Sequence, residues 1–433
     1  MIVHLTMRLT IRIIFLLLAA VFALQVIPRV VERKLESESL RNGGTGIISS
    51  DTVTGRSLAL LLPALSPFSG IASAAARQSL GWVFLLGLPV FIMAILKGRW
   101  FCFHLCPTGF IAELAGKLRP EVKSRFVSMP RFNELLLFLA LGSALFGYPL
   151  FIWLDPLCIF NGFFSVWHTP VTMVSLLPAI GLILIVALSI YRPNAWCYRI
   201  CPLGISQELL GKAWRHIHSR KELASTQVEE GHKPELGLGR RLFISLIAGG
   251  VTGLAARNIV GKQYSIRPPG AIAEDKFTAV CIRCGNCVRA CPKKIIFPDT
   301  GQSGIAGILT PVLRFDPEYC AEWCNECTKV CPTGAISRIS LQAKNNIAMG
   351  TAVVAKQHCL AWENGQSCMV CDEYCPYHAI KVIKNDEVLC PEVDPEICRG
   401  CGFCQAGCPA ETKAIVVQGK PQRTLPHVNL QGT

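Results

Sequence analysis

Twenty-two cysteines stand in this chain, and sixteen of them fall into four runs that each end in Cys-Pro. The runs are Cys281-Cys284-Cys287-Cys291, Cys320-Cys324-Cys327-Cys331, Cys359-Cys368-Cys371-Cys375 and Cys398-Cys401-Cys404-Cys408, followed by Pro292, Pro332, Pro376 and Pro409. The first and last have the spacing C-x2-C-x2-C-x3-C-P. In that pattern three thiolates of a tight loop hold one [4Fe-4S] cubane, and the fourth, held before a proline, reaches to a second. All sixteen together predict four clusters, a row of one-electron carriers. Structural zinc would instead use two separated C-x2-C pairs. Cysteines three apart in a tight loop are also poorly placed to form disulfides with one another. The segments after the prolines repeat as well. Lys293-Lys294-Ile295-Ile296, Thr333-Gly334-Ala335-Ile336 and Tyr377-His378-Ala379-Ile380 run into an apolar pair, and the fourth run reaches Ala414-Ile415 after a short insertion. The unit is a cluster loop followed by a short helix or strand, duplicated.

A second cysteine pattern lies far upstream. Cys102-x3-Cys106-Pro107 and Cys197-x3-Cys201-Pro202 align with a 95-residue offset that also superposes Gly109 on Gly204, Glu113 on Glu208 and Leu114 on Leu209. A looser match sets Pro67-Phe68 opposite Pro156-Leu157. The first half of the chain is thus an internal duplication. Its four cysteines could supply one shared metal or iron–sulfur site, act as two separate redox dithiols, or simply pack in the interior. Cys158 and Cys390 fall outside every motif and read as packing residues.

The elements that must position these cysteines differ between the two halves. Half of the 433 residues are hydrophobic and only 17% charged, with the apolar residues concentrated before position 260. Apolar stretches long enough to span a bilayer lie at 11–28, 79–97, 134–154 and 171–191, with a weaker fifth at 242–256. Segment 58–76 is interrupted by Pro63 and Pro67 and reads as re-entrant or interfacial. The net charge of +14 does not point to nucleic acid, because its excess flanks the spans. Segment 97–131 has seven Lys/Arg against two acids, and 192–241 has nine against four beyond Glu208. These are expected cytoplasmic loops, whereas loop 155–170, with only Asp155 charged, is expected outside. Residues 262–433 carry 18 basic and 16 acidic side chains. Four clusters at about two negative charges each would take that part to roughly −6. Ahead of the fifth stretch, Arg240-Arg241-Leu242-Phe243-Ile244 has the form of a twin-arginine export signal, or of two positive-inside arginines before a short span. Either way the cysteine-rich part comes to lie on the outer face, with 242–256 retained as an anchor.

At these residues the chain resembles two protein families joined end to end. Its first 220 residues, with Cys102/Cys106 and Cys197/Cys201, resemble the NapH-type membrane subunit of the quinol dehydrogenase pair associated with periplasmic nitrate reductase. From Arg240 onward, and notably at Pro268-Pro269-Gly270-Ala271 and Cys281 to Pro292, it resembles the NapG- or MauM-type ferredoxin exported with four [4Fe-4S] motifs. The cytoplasmic ferredoxin motifs expected after the fourth span of the NapH type are missing here.

The resemblance implies an α-helical membrane domain at 1–220, a linker and anchor helix at 221–261, an α+β ferredoxin-type domain with duplicated halves at 262–415, and a polar tail at 416–433. It further implies a multi-pass protein of the bacterial inner membrane. Electrons would pass from the quinone pool through four clusters to a periplasmic redox protein or metalloenzyme. The alternative is a maturation or reductive-activation factor for such a metalloenzyme. Asp155 and His168 are the proton-accepting candidates at the outer face, and Lys293, Lys294 and Lys329 are the charges expected beside cluster loops. The two spacing types favour pairing the first run with the fourth and the second with the third, as in related four-cluster subunits; sequential pairing stays open. No nucleotide-binding loop, haem-attachment C-x-x-C-H or hydrolytic constellation is present.

Overall fold

Proline sets where the helices of the N-terminal half begin. In the computed structural model, which describes residues 2–24, 61–77, 84–118, 132–149, 151–168, 172–225, 240–259, 264–385 and 388–420, four helices open on a proline. There its missing N–H is no loss and its fixed φ suits the first turn. They are α3 (Pro67–Arg77), α6 (Pro107–Lys117), α8 (Pro156–Phe163) and α10 (Pro202–Ser225). Around them lie α1 (Ile2–Leu24), α2 (Leu61–Ala64), α4 (Phe84–Lys97), α5 (Trp100–His104), α7 (Phe132–Leu145), α9 (Met173–Tyr191) and α11 (Arg240–Ile259), with a π-helical turn at Trp196–Ile200. The duplication is visible in the order. Each repeat runs from a short proline-initiated helix (α3, α8) through a longer apolar helix (α4, α9) and a single turn to a second proline-initiated helix (α6, α10).

Among the described residues, α9 is the one helix long and apolar enough to cross a membrane; Leu85–Lys97, Phe132–Leu145, Pro156–Trp167 and Leu242–Ala255 are shorter apolar helices. Stretch 134–154, expected as one span, is broken. The chain turns at Gly147 (φ 80°) and at Phe151 (φ 61°), both in the left-handed region. What remains is a 14-residue α7 and a 3-10 turn at Ile152–Leu154. Segment 58–76 is likewise split, into α2 and α3. Several helices turn large apolar side chains outward, including Leu85, Leu88 and Ile92 of α4, Ile180, Ile183 and Leu184 of α9, and Phe243, Ile247 and Val251 of α11.

Helix α11 carries the sequence expected to be an export signal or anchor, and it packs backbone to backbone on α7. A Cβ on Gly253 would lie 3.0 Å from the Ser143 Cα, and Gly249 and Gly142 similarly abut Leu139 and Leu246. Small residues at the contact are what let the two backbones approach so closely.

The C-terminal head is built from short elements: α12 (Glu274–Val280), α13 (Asn286–Ala290), β1 (Ile296–Pro298), β2 (Pro311–Leu313), α14 (Glu326–Lys329), α15 (Leu341–Lys344), β3 (Gly350–Val354), α16 (Leu360–Asn364), α17 (Val370–Glu373), β4 (Ile380–Asn385), β5 (Val388–Val393), α18 (Phe403–Gly407) and β6 (Ile415–Gly419). They form three antiparallel two-stranded sheets, β1–β2, β3–β6 and β4–β5. The first and third each join consecutive cysteine runs. The middle one pairs the strand before the third run with the strand after the fourth and closes the second half of the head.

A buried cation braces the entry to the head. Arg267 is fully enclosed over the Phe277 ring. It donates to Glu274, to Thr310 Oγ1 at 2.8 Å, to the Pro311 carbonyl at 2.9 Å and to Ser303 Oγ at 2.9 Å. One side chain thereby ties α12, which leads into Cys281, to the strand that leads toward Cys320.

Candidate iron–sulfur and C-x3-C-P cysteine sites

The loops that carry the cysteines share one backbone shape. Two and four residues after the first cysteine of the regular runs, the chain is left-handed: Arg283 (φ 55°) and Gly285 (φ 71°) in the first, Gly400 (φ 63°) and Gly402 (φ 80°) in the fourth. Three residues after the closing cysteine it is left-handed again, at Lys294, Gly334 and His378. Such turns aim successive amides inward. The Ile336, Ala352 and Ala379 N–H groups donate to the sulfurs of Cys331, Cys398 and Cys375 at 3.3, 3.4 and 3.3 Å. Burial pushes the Cys291 thiol up to about 11 and the Cys284 and Cys401 thiols up to about 12. These sulfurs therefore become thiolates only when a metal centre displaces the proton.

The cysteines gather sequentially. Cys281, Cys284 and Cys287 line one cavity with Cys331, and Cys359, Cys368 and Cys371 line another with Cys408. Cys320, Cys324 and Cys327 lie within electrostatic range of Cys291, and Cys398, Cys401 and Cys404 within range of Cys375. This differs from the pairing of first with fourth and second with third that the spacing favours. The reason is the strand pairing. β1 follows Cys291 and pairs with β2 just before Cys320, so the second run folds back on the first; β4 and β5 do the same for the third and fourth. The two halves meet through the second and fourth runs, where the Cys320 N–H donates to the Cys401 carbonyl at 2.9 Å and the rings of Tyr319 and Phe403 stack at 3.7 Å.

The donor sets suit a polynuclear centre. Four thiols surround a common space at the Cys281 and Cys359 groups. Zinc, which draws its four ligands to about 2.3 Å from one ion, needs a tighter set.

Lys344, which lies outside every motif, proves to be a neighbour of one group. Its buried Nζ donates to the Cys320 sulfur at 3.4 Å and to the Cys324 carbonyl at 2.6 Å. Two of the lysines expected to act on the clusters are otherwise engaged: Lys293 pairs with Glu318 at 2.9 Å and Lys329 with Glu326 at 2.8 Å. Cys390 is a packing residue, wholly buried and donating to the Ala361 carbonyl.

In the N-terminal half the two C-x3-C-P motifs converge. Cys102, Cys106, Cys197 and Cys201 line one cavity of 330 Å³, and Cys201 lies within electrostatic range of the other three. Cys106 caps α6, its sulfur accepting from the Gly109 N–H at 3.3 Å. The glycines of both motifs leave room for the preceding turn: a Cβ would meet the Cys102 carbonyl at 3.3 Å from Gly109 and the Cys197 carbonyl at 3.1 Å from Gly204. The repeat extends to the charges, since Glu113 pairs with Arg12 at 2.6 Å and Glu208 with Arg99 at 2.5 Å.

Asp155, expected at the outer surface, is instead fully buried. It begins α8, accepting from the Leu157 N–H at 2.9 Å and from the Ser66 hydroxyl. Ser66 and Asp155 are equivalent positions of the two repeats, so the duplicated halves touch through this pair. Close by, Thr108 of the first C-x3-C-P helix donates to the Pro156 carbonyl at 2.7 Å. The side chain of His168 lies outside the described residues.

The head sits on the N-terminal half at its first cysteine loop. Asn161 of α8 donates to the Cys284 carbonyl at 3.0 Å and to Asn286 Oδ1 at 2.6 Å. Arg289 donates to the Ala23 carbonyl of α1. Cys158, Ala72 and Ile152 pack against Ile282 and Cys284.

Family models agree with both cysteine regions. A 4Fe-4S dicluster domain matches residues 280–335, and a 4Fe-4S binding domain matches 79–125 and 174–222. The chain is 33% identical over 204 residues to the methylamine utilization ferredoxin-type protein MauM of Methylorubrum extorquens, covering 43% of this chain and 90% of that protein. It is 35% identical over 201 residues to the ferredoxin-type protein NapG of Escherichia coli, covering 41% of this chain and 85% of NapG. The MauM of Methylophilus methylotrophus is 38% identical over 196 residues, covering 41% of this chain and 82% of that protein. No solved structure matches. The chain belongs to the family of ferredoxin-type proteins that includes MauM and NapG, and it is an iron–sulfur electron-transfer protein.

Proposed function

We propose that the protein takes electrons from quinol in the bacterial inner membrane and passes them through four [4Fe-4S] clusters to a periplasmic acceptor. In this reading the clusters are held by Cys281, Cys284, Cys287 and Cys331; by Cys320, Cys324, Cys327 and Cys291; by Cys398, Cys401, Cys404 and Cys375; and by Cys359, Cys368, Cys371 and Cys408. When bound, each supplies a one-electron carrier. The protein's part is to fix their order. The group of Cys281 rests on the N-terminal half, that of Cys320 adjoins that of Cys401 through the Cys320–Cys401 backbone hydrogen bond, and that of Cys359 lies farthest out.

The observation that carries the reading is the seating of the first cysteine loop on α8, through Asn161 and Cys158. An electron carrier pressed against an apolar helical bundle has its donor there. The outward apolar side chains of α4, α9 and α11 support immersion of that bundle in lipid, and the glycine contact of α11 with α7 supports its retention as a fifth membrane helix. The convergence of the C-x3-C-P cysteines, under a model for 4Fe-4S binding, favours one shared iron–sulfur site there over two separate dithiols.

Iron and acid-labile sulfide per chain on anaerobically purified protein, with EPR during titration by a quinol analogue, test this. About sixteen irons are expected from the head and about twenty if the C-x3-C-P site is also loaded, with signals that grow as quinol is added. Full iron without reduction by quinol would refute the electron-input reading. Loss of a partner enzyme's cofactor on deletion, with electron flow intact, would mark a maturation factor instead.

A further inference from the structure

A cavity of 250 Å³ lies between α3 and the head. One wall is a stripe of hydroxyls, Ser66, Ser69 and Ser73, on a single face of α3. The facing wall is the loop from Thr328 to Arg338, which contains Cys331. Phe91 of α4 closes a third side, and neighbouring Leu88 and Ile92 on that helix point outward. Exposed Arg338 stands at the rim.

We propose that this cavity is the quinol oxidation site, with Ser66 and Asp155 as its proton relay and the Cys331 side as its electron exit. The inference rests on the quinol-fed reading and deepens it. A hydroquinone head needs three things at once: a planar slot between an apolar and a polar wall, an acceptor for a hydroxyl proton, and a one-electron acceptor within reach. All three meet here. The Ser66 hydroxyl donates to Asp155 Oδ2 and accepts from the Ser69 N–H at 3.4 Å, which leaves its second lone pair to accept from a ligand hydroxyl. Asp155 is fully buried, and among the described residues no cation pairs with it, so its carboxylate gains by accepting a proton. Cys331 completes the group of cysteines nearest the bundle.

In the oxidation, both quinol O–H bonds break and the quinol becomes quinone. One proton passes to Ser66 as Ser66 gives its own to Asp155, and the other leaves to water past Ser73 and Arg338. The two electrons would leave one at a time on the Cys331 side, where oxidised [4Fe-4S] clusters, when bound, would supply the one-electron acceptors. The second repeat has a counterpart cavity of 300 Å³ between α8, α9 and the head, lined by Leu177, Leu184 and Trp153. Among the described residues no serine or threonine lines it, so no hydroxyl there leads to a buried acid, and it serves as the control.

The test is photolabelling of the full-length protein in lipid nanodiscs with an azidoquinone, mapped by mass spectrometry, beside stopped-flow reduction by a quinol analogue. Label is expected on 61–77 and 328–338. Ala74→Trp, which fills the cavity, should abolish the label, and Leu184→Trp should not. Ser66→Ala should keep the label yet slow reduction at least tenfold, with the dithionite-reduced EPR intensity unchanged as proof of intact clusters. Label on 177–188, with reduction lost in Leu184→Trp, would overturn the location while leaving quinol as donor. Label in place with Ser66→Ala at the wild-type rate would overturn the relay. Neither label nor reduction in the wild type would overturn the quinol reading and this proposal together.

Discussion

Whether Cys331 shares a cluster with Cys281 can be decided by a double-variant cycle. In the structure both line one cavity, so Cys281→Ser and Cys331→Ser strike the same centre. Complete loss of one cubane removes about four of sixteen irons. Each single variant should therefore lose up to about four, and the double variant no more than either alone. Cys281→Ser with Cys408→Ser strikes two centres, and should lose up to about eight. Pairing of the first run with the fourth inverts both results: Cys281 and Cys408 become redundant, and Cys281 and Cys331 additive. The cycle is robust because it compares losses within one set of variants, and residues acting as a unit are non-additive by nature. Iron by plasma emission and EPR spin counts after dithionite give two independent readings. An additive loss for Cys281→Ser with Cys331→Ser would refute the sequential grouping and, with it, the idea that β1–β2 and β4–β5 decide which runs meet.

Four other contacts are open to direct perturbation. Lys344→Met removes a charge-assisted hydrogen bond to Cys320, worth about 1.5 kcal/mol at the low end. For a one-electron couple that lowers the midpoint of one cluster by roughly 60 mV, as redox-titrated EPR would show; four unchanged potentials would refute it. Arg267→Met removes the buried cation that ties Glu274 to Thr310, Ser303 and the Pro311 carbonyl and should destabilise the head by about 3–5 kcal/mol, readable as lowered resistance to guanidinium. Gly253→Leu forces a side chain into the Ser143 backbone and should cost about 1–3 kcal/mol of helix association. Its sign is easier proteolysis within α11; wild-type resistance would refute the packing. Burial raises Glu113 and Glu208, but Arg12 with Lys117, and Lys212 with Arg99, outweigh it and hold both carboxyls below the ordinary range. Depressed acids stabilise the fold above their unfolded pKa and lose that contribution as pH falls through the folded one. Stability should therefore decline below about pH 4.5, and Glu113→Gln with Glu208→Gln should flatten that decline.

The ligand runs and the internal duplication are legible in the sequence because both are covalent patterns: a thiol at fixed spacing before a proline needs no knowledge of the fold. The helix starts at Pro67, Pro107, Pro156 and Pro202 are legible for the same local reason. What spacing does not carry is which loop the fourth cysteine of a run reaches. That is set by the strands between runs, and Cys291 and Cys375 are delivered to their neighbours by β1–β2 and β4–β5. Lys344 is invisible for a related reason, since it reaches Cys320 only after the chain has doubled back through α15. Asp155 reads as a lone surface acid while 134–154 is taken for one span. The turns at Gly147 and Phe151 bring it inward, and only a three-dimensional neighbour, Ser66, shows what it faces.

The depth of Asp155 ties the two cysteine regions into one column. Thr108, two residues past Cys106, holds the Pro156 carbonyl at the start of α8, and Asn161 and Cys158 of the same helix hold the Cys284 loop. At 1.5 Å per residue an eight-residue helix is about 12 Å long. The C-x3-C-P site and the first head site are therefore separated by little more than one short helix. The proline-led helices α3, α6, α8 and α10 all begin along this column. Their N-terminal ends carry partial positive charge, which favours electron-rich groups between them: the Cys106 and Cys201 sulfurs on one side, Asp155 on the other. A duplicated sequence gains this by symmetry, because each proline that starts a helix in one repeat is matched in the other. A centre held by the four C-x3-C-P cysteines would then be electrostatically easier to reduce than the same thiolates in a plain apolar interior. Cys106→Ser with Cys201→Ser should therefore remove the fifth set of about four irons while leaving the head's sixteen cysteines fully loaded.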